Sequence, residues 1–313
     1  MMTLFMQRFC SLVLILFTLP ALAEQNYAIG TGSQSGTYYP LGGMLAKVWS
    51  ESIEGVNARA EVTAASVENV IKVATQKQLA GIAMGNVVLK AHKGEEPFPR
   101  QMPASVLFAL YPNVVQVMVP AKSDIQSVQD LKGKRVSLGA PGSGTRVSAL
   151  AILNILGISE DDVKAQSLNY TATTNALANG QIDAGVIVGS LGVGAITELA
   201  LSRDIRILSF SPAELKKISA AAPAYMPYEA AAETYNKVPA FTAPAVWNVL
   251  VVNPKLDDEL AYNLTKVAFE NMAKIRQAIG VAKYITPENA RQLQGVPMHP
   301  GALRYLNEVA DAQ

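Results

Sequence analysis

Short apolar, β-rich runs alternate with helical patterns along most of the chain. Tyr27-Ala28-Ile29 precedes a helical pattern over Leu41 to Ser50, and Arg135 to Leu138 precedes another over Val147 to Leu156. Such alternation predicts βα units around mainly parallel sheets. In the first helix Leu41, Met44, Leu45, Val48 and Trp49 recur at i, i+3, i+4, i+7 and i+8, which makes one buried stripe. Pro40 suits the first helical turn, where its missing N–H is not needed. Further strands are expected at Val114 to Val119 and Val246 to Val252, with a helical stretch over Asp257 to Ile279.

The pattern also repeats itself. Ser35-Gly36-Thr37 recurs as Ser143-Gly144-Thr145, each copy between a short strand and an apolar helix. Ala80-Gly81-Ile82-Ala83-Met84-Gly85-Asn86 recurs as Ala184-Gly185-Val186-Ile187-Val188-Gly189-Ser190, each copy a buried strand ending in Gly and a small polar residue. Two echoes in the same order and at similar offsets predict two similar α/β lobes. Pro120 to Asp124 looks like a connector, which divides the mature chain into residues 24–122 plus 245–313 as the first lobe and 123–244 as the second. Two crossings make a hinge, and a hinge allows closure over a ligand.

The N-terminus sets the compartment. Arg8 is followed by the apolar run Phe9 to Leu19, then Pro20 and Ala21-Leu22-Ala23, the pattern of a signal peptide over residues 1–23 with cleavage after Ala23. Such a chain is expected to be exported. Cys10 is the only cysteine, and it leaves with the signal, so the mature chain has no disulfide framework and relies on an ordinary core. The chain carries 26 Lys+Arg and 25 Asp+Glu; removing Arg8 leaves 25 of each. A neutral mature protein argues against nucleic acid or an anionic membrane surface as the main partner. Any anion it binds is held by local groups.

Two loops offer such groups. Gly30-Thr31-Gly32-Ser33-Gln34-Ser35-Gly36-Thr37 sits between a strand and a helix start, where free N–H groups and the helix dipole favour negative charge. Ser35 stands where the dinucleotide fingerprint needs glycine, and no Gly-Lys-Ser/Thr of a Walker loop follows. A tight turn with a Ser/Thr cap is the competing reading. The second loop, Gly139 to Arg146, adds Arg146, which is either a surface residue or a two-pronged grip on a carboxylate. The mirrored loop favours the grip. Each hydrogen bond to a charged group is worth about 1.5 to 3 kcal/mol, so a few give micromolar capture.

The two loops, with Tyr38 and Arg146, are thus the candidate ligand-binding elements. Asn86, Gly189 and Ser190, at the carboxyl ends of the paired strands, join them, with helix capping as the alternative role for Asn86 and Ser190. Tyr38 is preferred to Tyr39 because it is nearer the loop, and Trp247 is assigned to core or hinge packing. Catalysis finds little support. His92 and His299 lie far apart, there is no Gly-x-Ser-x-Gly elbow, and no metal or cofactor is expected.

Gly30 to Gly43, reading Gly-Thr-Gly-Ser-Gln-Ser-Gly-Thr-Tyr-Tyr-Pro-Leu-Gly-Gly, and Gly139 to Arg146 resemble the hallmark of the TAXI family of TRAP transporter solute receptors. The similarity in order and spacing runs over about 27 to 311. It implies a type II periplasmic binding protein-like fold with an interlobe ligand cleft, contacted by Ser35, Gly36, Thr37 and Tyr38 on the first lobe and by Ser143, Thr145 and Arg146 on the second. It also implies a small organic carboxylate ligand such as glutamate or 2-oxoglutarate, and an ion-gradient-driven membrane permease as partner. A periplasmic ligand-sensing module for a membrane signalling partner is the alternative, and a monomer is the expected state. Met84-Gly85-Asn86 departs from the Gln and Asp often seen in relatives.

Overall fold

The computed structural model describes residues 25–311, and the signal peptide expected over 1–23 lies outside the described residues. The strands are β1 Gln25–Gly30, β2 Val56–Glu61, β3 Ala80–Met84, β4 Ser105–Pro120, β5 Arg135–Ser137, β6 Lys164–Gln166, β7 Ala184–Gly189, β8 Ile205–Ile207, β9 Tyr225–Ala230 and β10 Phe241–Val252. The helices are α1 Tyr38–Ser52, α2 Ser66–Ala74, α3 Gly85–Lys93, α4 Gly144–Ile155, α5 Tyr170–Ala178, α6 Gly194–Ser202, α7 Pro212–Ala221, α8 Asp258–Glu270, α9 Met272–Ala278 and α10 Pro300–Asp311.

The strands form one mixed sheet along the path β2-β1-β3-β10-β4-β7-β5-β6, with β8 added to β4 and β9 to β10. β2-β1-β3 are parallel, and so are β6-β5-β7. Each triplet places its second strand, then its first, then its third, so the two halves repeat one plan. The fold is thus α/β with two similar lobes. β4 and β10 run antiparallel through the middle and belong to both halves. β10 pairs with β9 over Phe241–Val246 and with β3 over Asn248–Val252, while β4 pairs with β10 between Ser105 and Val114 and with β7 over Val114–Met118.

The strand read at Val114 to Val119 is thus the second half of a strand that begins at Ser105. Residues 105–119 are all buried, so no polar alternation marks where the strand starts. The helical stretch read over Asp257 to Ile279 is broken at Asn271 into α8 and α9.

The predicted stripe of α1 buries Leu41, Leu45, Val48 and Trp49, with Met44 half-buried. The Trp49 indole donates to the Leu264 carbonyl of α8 at 2.9 Å, which satisfies the one polar atom of a fully buried ring. On the opposite side of the first lobe, Val67, Val70 and Val73 of α2 and Val87 and Val88 of α3 join a core that continues into the second lobe. Burying each such side chain stabilises the fold by about 1.5–3 kcal/mol.

Candidate functional site

Parallel strands bring their carboxyl ends, and the starts of the helices that follow, to one edge of the sheet. Here those ends surround a cavity of about 680 Å³ between the lobes. Five helix starts reach its wall: Thr37 and Tyr38 at α1, Ala65 at α2, Met84 at α3, Ser143 to Thr145 at α4, and Asn169 and Tyr170 at α5. The loop residues Gly32 to Gln34 and Gly36, the stretch Val62 to Ala65, Gly139 and Ala140, Thr171, Gly189 and Ser190 complete it, with Tyr111 and Asn113 of β4. None of these residues is charged.

An uncharged wall makes the helix ends decisive. The first turns of α1, α3, α4 and α5 contain no acidic residue. Glu68 in the first turn of α2 is not part of the wall; it accepts from the Ala64 N–H at 2.7 Å and pairs with Lys72 at 3.0 Å. Each helix start contributes about 0.3–1 kcal/mol toward an anion, with no side-chain charge opposing it. α1 also begins without a side-chain cap, so its first N–H groups are left for other acceptors.

Burial raises the pKa of the three wall phenols. Tyr170 is pushed up to about 12, and Tyr38 and Tyr111 are pushed higher still, chiefly because a phenolate would be desolvated. All three remain neutral donors across the physiological range. Two of these protons are already engaged: Tyr38 donates to Asn248 Oδ1, and Tyr170 donates to the Val188 carbonyl at 2.6 Å. The Tyr111 hydroxyl makes no well-formed hydrogen bond, although Thr37 is close enough to lower its pKa slightly against the larger effect of burial.

The lobes touch around the cavity. Thr37 and Ser190 share a hydroxyl–hydroxyl bond of 2.6 Å, and the Thr171 hydroxyl donates to Ser35 Oγ at 3.0 Å. The Ala195 N–H donates to the Ser35 carbonyl at 3.2 Å, and the Val67 N–H at the start of α2 donates to the Gly142 carbonyl at 3.2 Å. Closest of all is Gly144. A Cβ there would lie 2.5 Å from Ser66 Oγ and 2.9 Å from Met84 Sδ, so only glycine permits this approach. Nearby, Gly139 has φ +96° and turns the chain from β5 toward α4 with the Arg146 backbone nitrogen close behind it.

Of the residues singled out in the sequence, Gly36, Thr37, Tyr38, Ser143, Thr145, Gly189 and Ser190 stand on the cavity wall. Ser35 lies on an adjoining groove behind the loop. Asn86 is set behind the wall, where its amide donates to Ser148 Oγ at 3.1 Å and to the Tyr225 hydroxyl at 2.9 Å. It ties the start of α3 to the second lobe instead of reaching the cavity. Arg146 corrects its expected placement. One helical step beyond Thr145, it turns away from the cavity, donates to Glu160 Oε1 at 2.6 Å and to Ser167 Oγ at 3.2 Å, and its side chain is 24% exposed. Trp247 is half-buried on β10 opposite Pro112 of β4, in the crossing between lobes.

Sequence reasoning missed Tyr111, Asn113, the stretch Thr63 to Ala65 and Asn169 to Thr171. The available signal for the first two was a polar residue and a phenol within an otherwise apolar strand. For Asn169 it was an N-cap residue opening a helix, since its side chain accepts from the Ala172 N–H at 2.9 Å.

Among the described residues no cluster suited to a metal ion is found, and no helix is long and apolar enough to cross a membrane. The architecture is similar to that of solved periplasmic binding proteins. The alkanesulfonate-binding protein SsuA from Xanthomonas axonopodis pv. citri bound to MOPS is 18% identical with a TM-score of 0.51, over 90% of this chain and 83% of that one. An ancestral arginine-binding protein bound to arginine is 16% identical with a TM-score of 0.50, over 81% of this chain and 97% of that one. At these identities the likeness is one of fold. The NMT1-like family model matches residues 29–309, nearly the whole of the described chain, and the protein belongs to that family.

Proposed function

We propose that the protein is an exported solute-binding protein that captures a small organic anion between its lobes, without catalysis, and delivers it to a membrane transporter. The observation that carries this reading is the uncharged cavity onto which five helix starts converge. Ligand binding shifts an open–closed equilibrium only through contacts better made in the closed state. Residues 24–122 with 245–313 and residues 123–244 act as the closing bodies. Hydroxyls, backbone N–H groups and phenols supply the anion's hydrogen bonds, with Gly36, Thr37, Ser143, Thr145, Gly189 and Ser190 as its direct neighbours.

The finer assignments rest on the motifs at 30–43 and 139–146. They favour the TAXI type of receptor, a carboxylate of the glutamate or 2-oxoglutarate kind, and a TRAP permease driven by an ion gradient. Uptake energised by ATP hydrolysis would contradict the permease assignment alone and leave the binding role in place.

A thermal-shift screen of residues 24–313 against carboxylates, sulfonates, amino acids and neutral sugars tests the reading. A raised midpoint with at least one organic anion is expected. A response confined to neutral sugars or to cations, or steady turnover of the bound compound, would overturn it.

A further inference from the structure

Two polar side chains in the cavity wall have chemistry that nothing in the protein uses. Tyr111 and Asn113 are two residues apart on β4, so their side chains stand on the same face of the strand. Both are about 99% buried, each being 1% exposed, and both line the cavity. Asn113 Oδ1 has no hydrogen-bond partner, and the Tyr111 hydroxyl makes no well-formed hydrogen bond, with only a weak approach to Thr37; both atoms are almost fully covered. An unpaired buried polar group is costly, and its retention calls for a partner that arrives from outside.

The orientation of the Asn113 amide is fixed by its surroundings. Asn248 Nδ2 donates to the Tyr111 backbone carbonyl at 2.9 Å, which turns Asn248 Oδ1 toward Asn113. Asn113 Nδ2 then donates to Asn248 Oδ1 at 3.0 Å and to the Val188 carbonyl at 3.3 Å. Both are acceptors only, so Oδ1 is the atom left over. It accepts and cannot donate; the adjacent phenol has a proton to give. A hydroxyl-like group on a ligand satisfies both at once, donating to Asn113 and accepting from Tyr111.

The rest of the wall limits charge. With no cationic side chain on it, every carboxylate relies on helix starts and neutral donors, so a second one adds repulsion from the first with no counter-ion to offset it, and with no acidic side chain an ammonium would have no partner charge either. A cavity of about 680 Å³ also exceeds the needs of a five-carbon diacid.

Building on the anion-binding reading, we infer that the ligand is a singly charged organic acid with an apolar body and one hydroxyl-type group, read by Tyr111 and Asn113. This departs from the glutamate or 2-oxoglutarate kind that the loop motifs alone favour: on this wall dicarboxylates and zwitterionic amino acids are disfavoured. Tyr111 and Asn113 are then the specificity residues of the site.

The test is calorimetric titration of residues 24–313 with two matched sets of probes. One set is phenylpropanoate, para-hydroxyphenylpropanoate, tyrosine and para-carboxyphenylpropanoate; the other is isocaproate, hydroxyisocaproate, leucine and isobutylsuccinate. Within the set that binds, the hydroxy acid is expected to exceed the plain acid by about tenfold or more and to exceed the amino acid and diacid as well. Tyr111→Phe removes a hydroxyl with no well-formed hydrogen bond, so the ligand-free melting temperature holds or rises, and the preference for the hydroxy acid over the plain acid collapses toward unity. A diacid or amino acid that binds as tightly as the hydroxy acid, or a preference unchanged in Tyr111→Phe, overturns this inference and leaves the anion-binding reading standing. Absence of binding by every probe and by every anion of the thermal screen overturns both.

Discussion

The loops Ser35-Gly36-Thr37 and Ser143-Gly144-Thr145 are the same triplet in equivalent places of the two lobes, yet they meet their helices differently. In the first lobe α1 starts after the triplet, with Thr37 as N-cap and no side-chain cap bond. In the second, Ser143 is the N-cap and accepts from the Arg146 N–H at 3.1 Å, so Gly144 and Thr145 lie inside α4. The two-residue difference in phase changes what the same side chains do. Thr37 reaches across to Ser190, whereas the Thr145 hydroxyl turns inward and accepts from the Val188 N–H at 3.3 Å. One loop leaves its helix start without a side-chain cap; the other caps one N–H of its own and offers a glycine surface for contact. A repeated motif therefore specifies a strand–loop–helix unit, and the point where the helix begins decides which side chains face the ligand.

The largest effect expected from this contrast is at Gly144. In Gly144→Val the added carbons meet Ser66 and Met84 only when the lobes are together. Overpacking of about 1–3 kcal/mol falls on closure, and ligand affinity drops roughly 5- to 150-fold while the circular dichroism of the ligand-free protein is unchanged. The same change at Gly43, whose added Cβ would meet nothing within 4 Å, leaves affinity intact.

A smaller effect is expected at Thr37. Its hydroxyl does not cap α1, so Thr37→Val costs the helix little and removes the bond to Ser190. One such bond is worth about 1 kcal/mol, which predicts roughly fivefold weaker binding by titration.

Changing pH is expected to do less still. No wall residue titrates between about pH 5 and pH 9, so affinity for a permanently ionised sulfonate stays flat across that range. For stability, Tyr170 has its folded value raised to about 12 from 10.0 unfolded. Below pH 10 both states keep the proton and stability is unaffected; between about 10 and 12 the unfolded chain loses it first, and stability falls as pH rises. Denaturant midpoints at stepped pH check the sign.

Much of the fold was legible in the sequence. The βα alternation, the α1 stripe and the internal echo come from local periodicity, and β2-β1-β3 against β6-β5-β7 is the topological form of that echo. The length of β4 was hidden, because a strand buried on both faces has no alternation to read. The site was legible where glycine and hydroxyl residues open helices, as at Gly36, Thr37, Ser143 and Ser190. It was hidden where function depends on which hydrogen bonds remain unmade. Nothing local distinguishes Tyr38, whose proton is engaged by Asn248, from Tyr111, whose hydroxyl makes no well-formed hydrogen bond. Arg146 carries the clearest chemical signal in its loop, and helical phase turns it toward Glu160.

Arg146 therefore gives the smallest expected effect and the sharpest test. Its ion pair with Glu160 is partly exposed, and such pairs contribute about 0–1 kcal/mol to stability. The measurement is calorimetric titration of the wild-type chain and Arg146→Ala with the anion that gives the largest thermal shift. If helix starts and neutral donors hold the ligand, the two dissociation constants agree within about threefold, since no charged hydrogen bond is lost. A folded Arg146→Ala protein that binds about tenfold or more weakly would contradict the neutral site and return the anchor to the guanidinium.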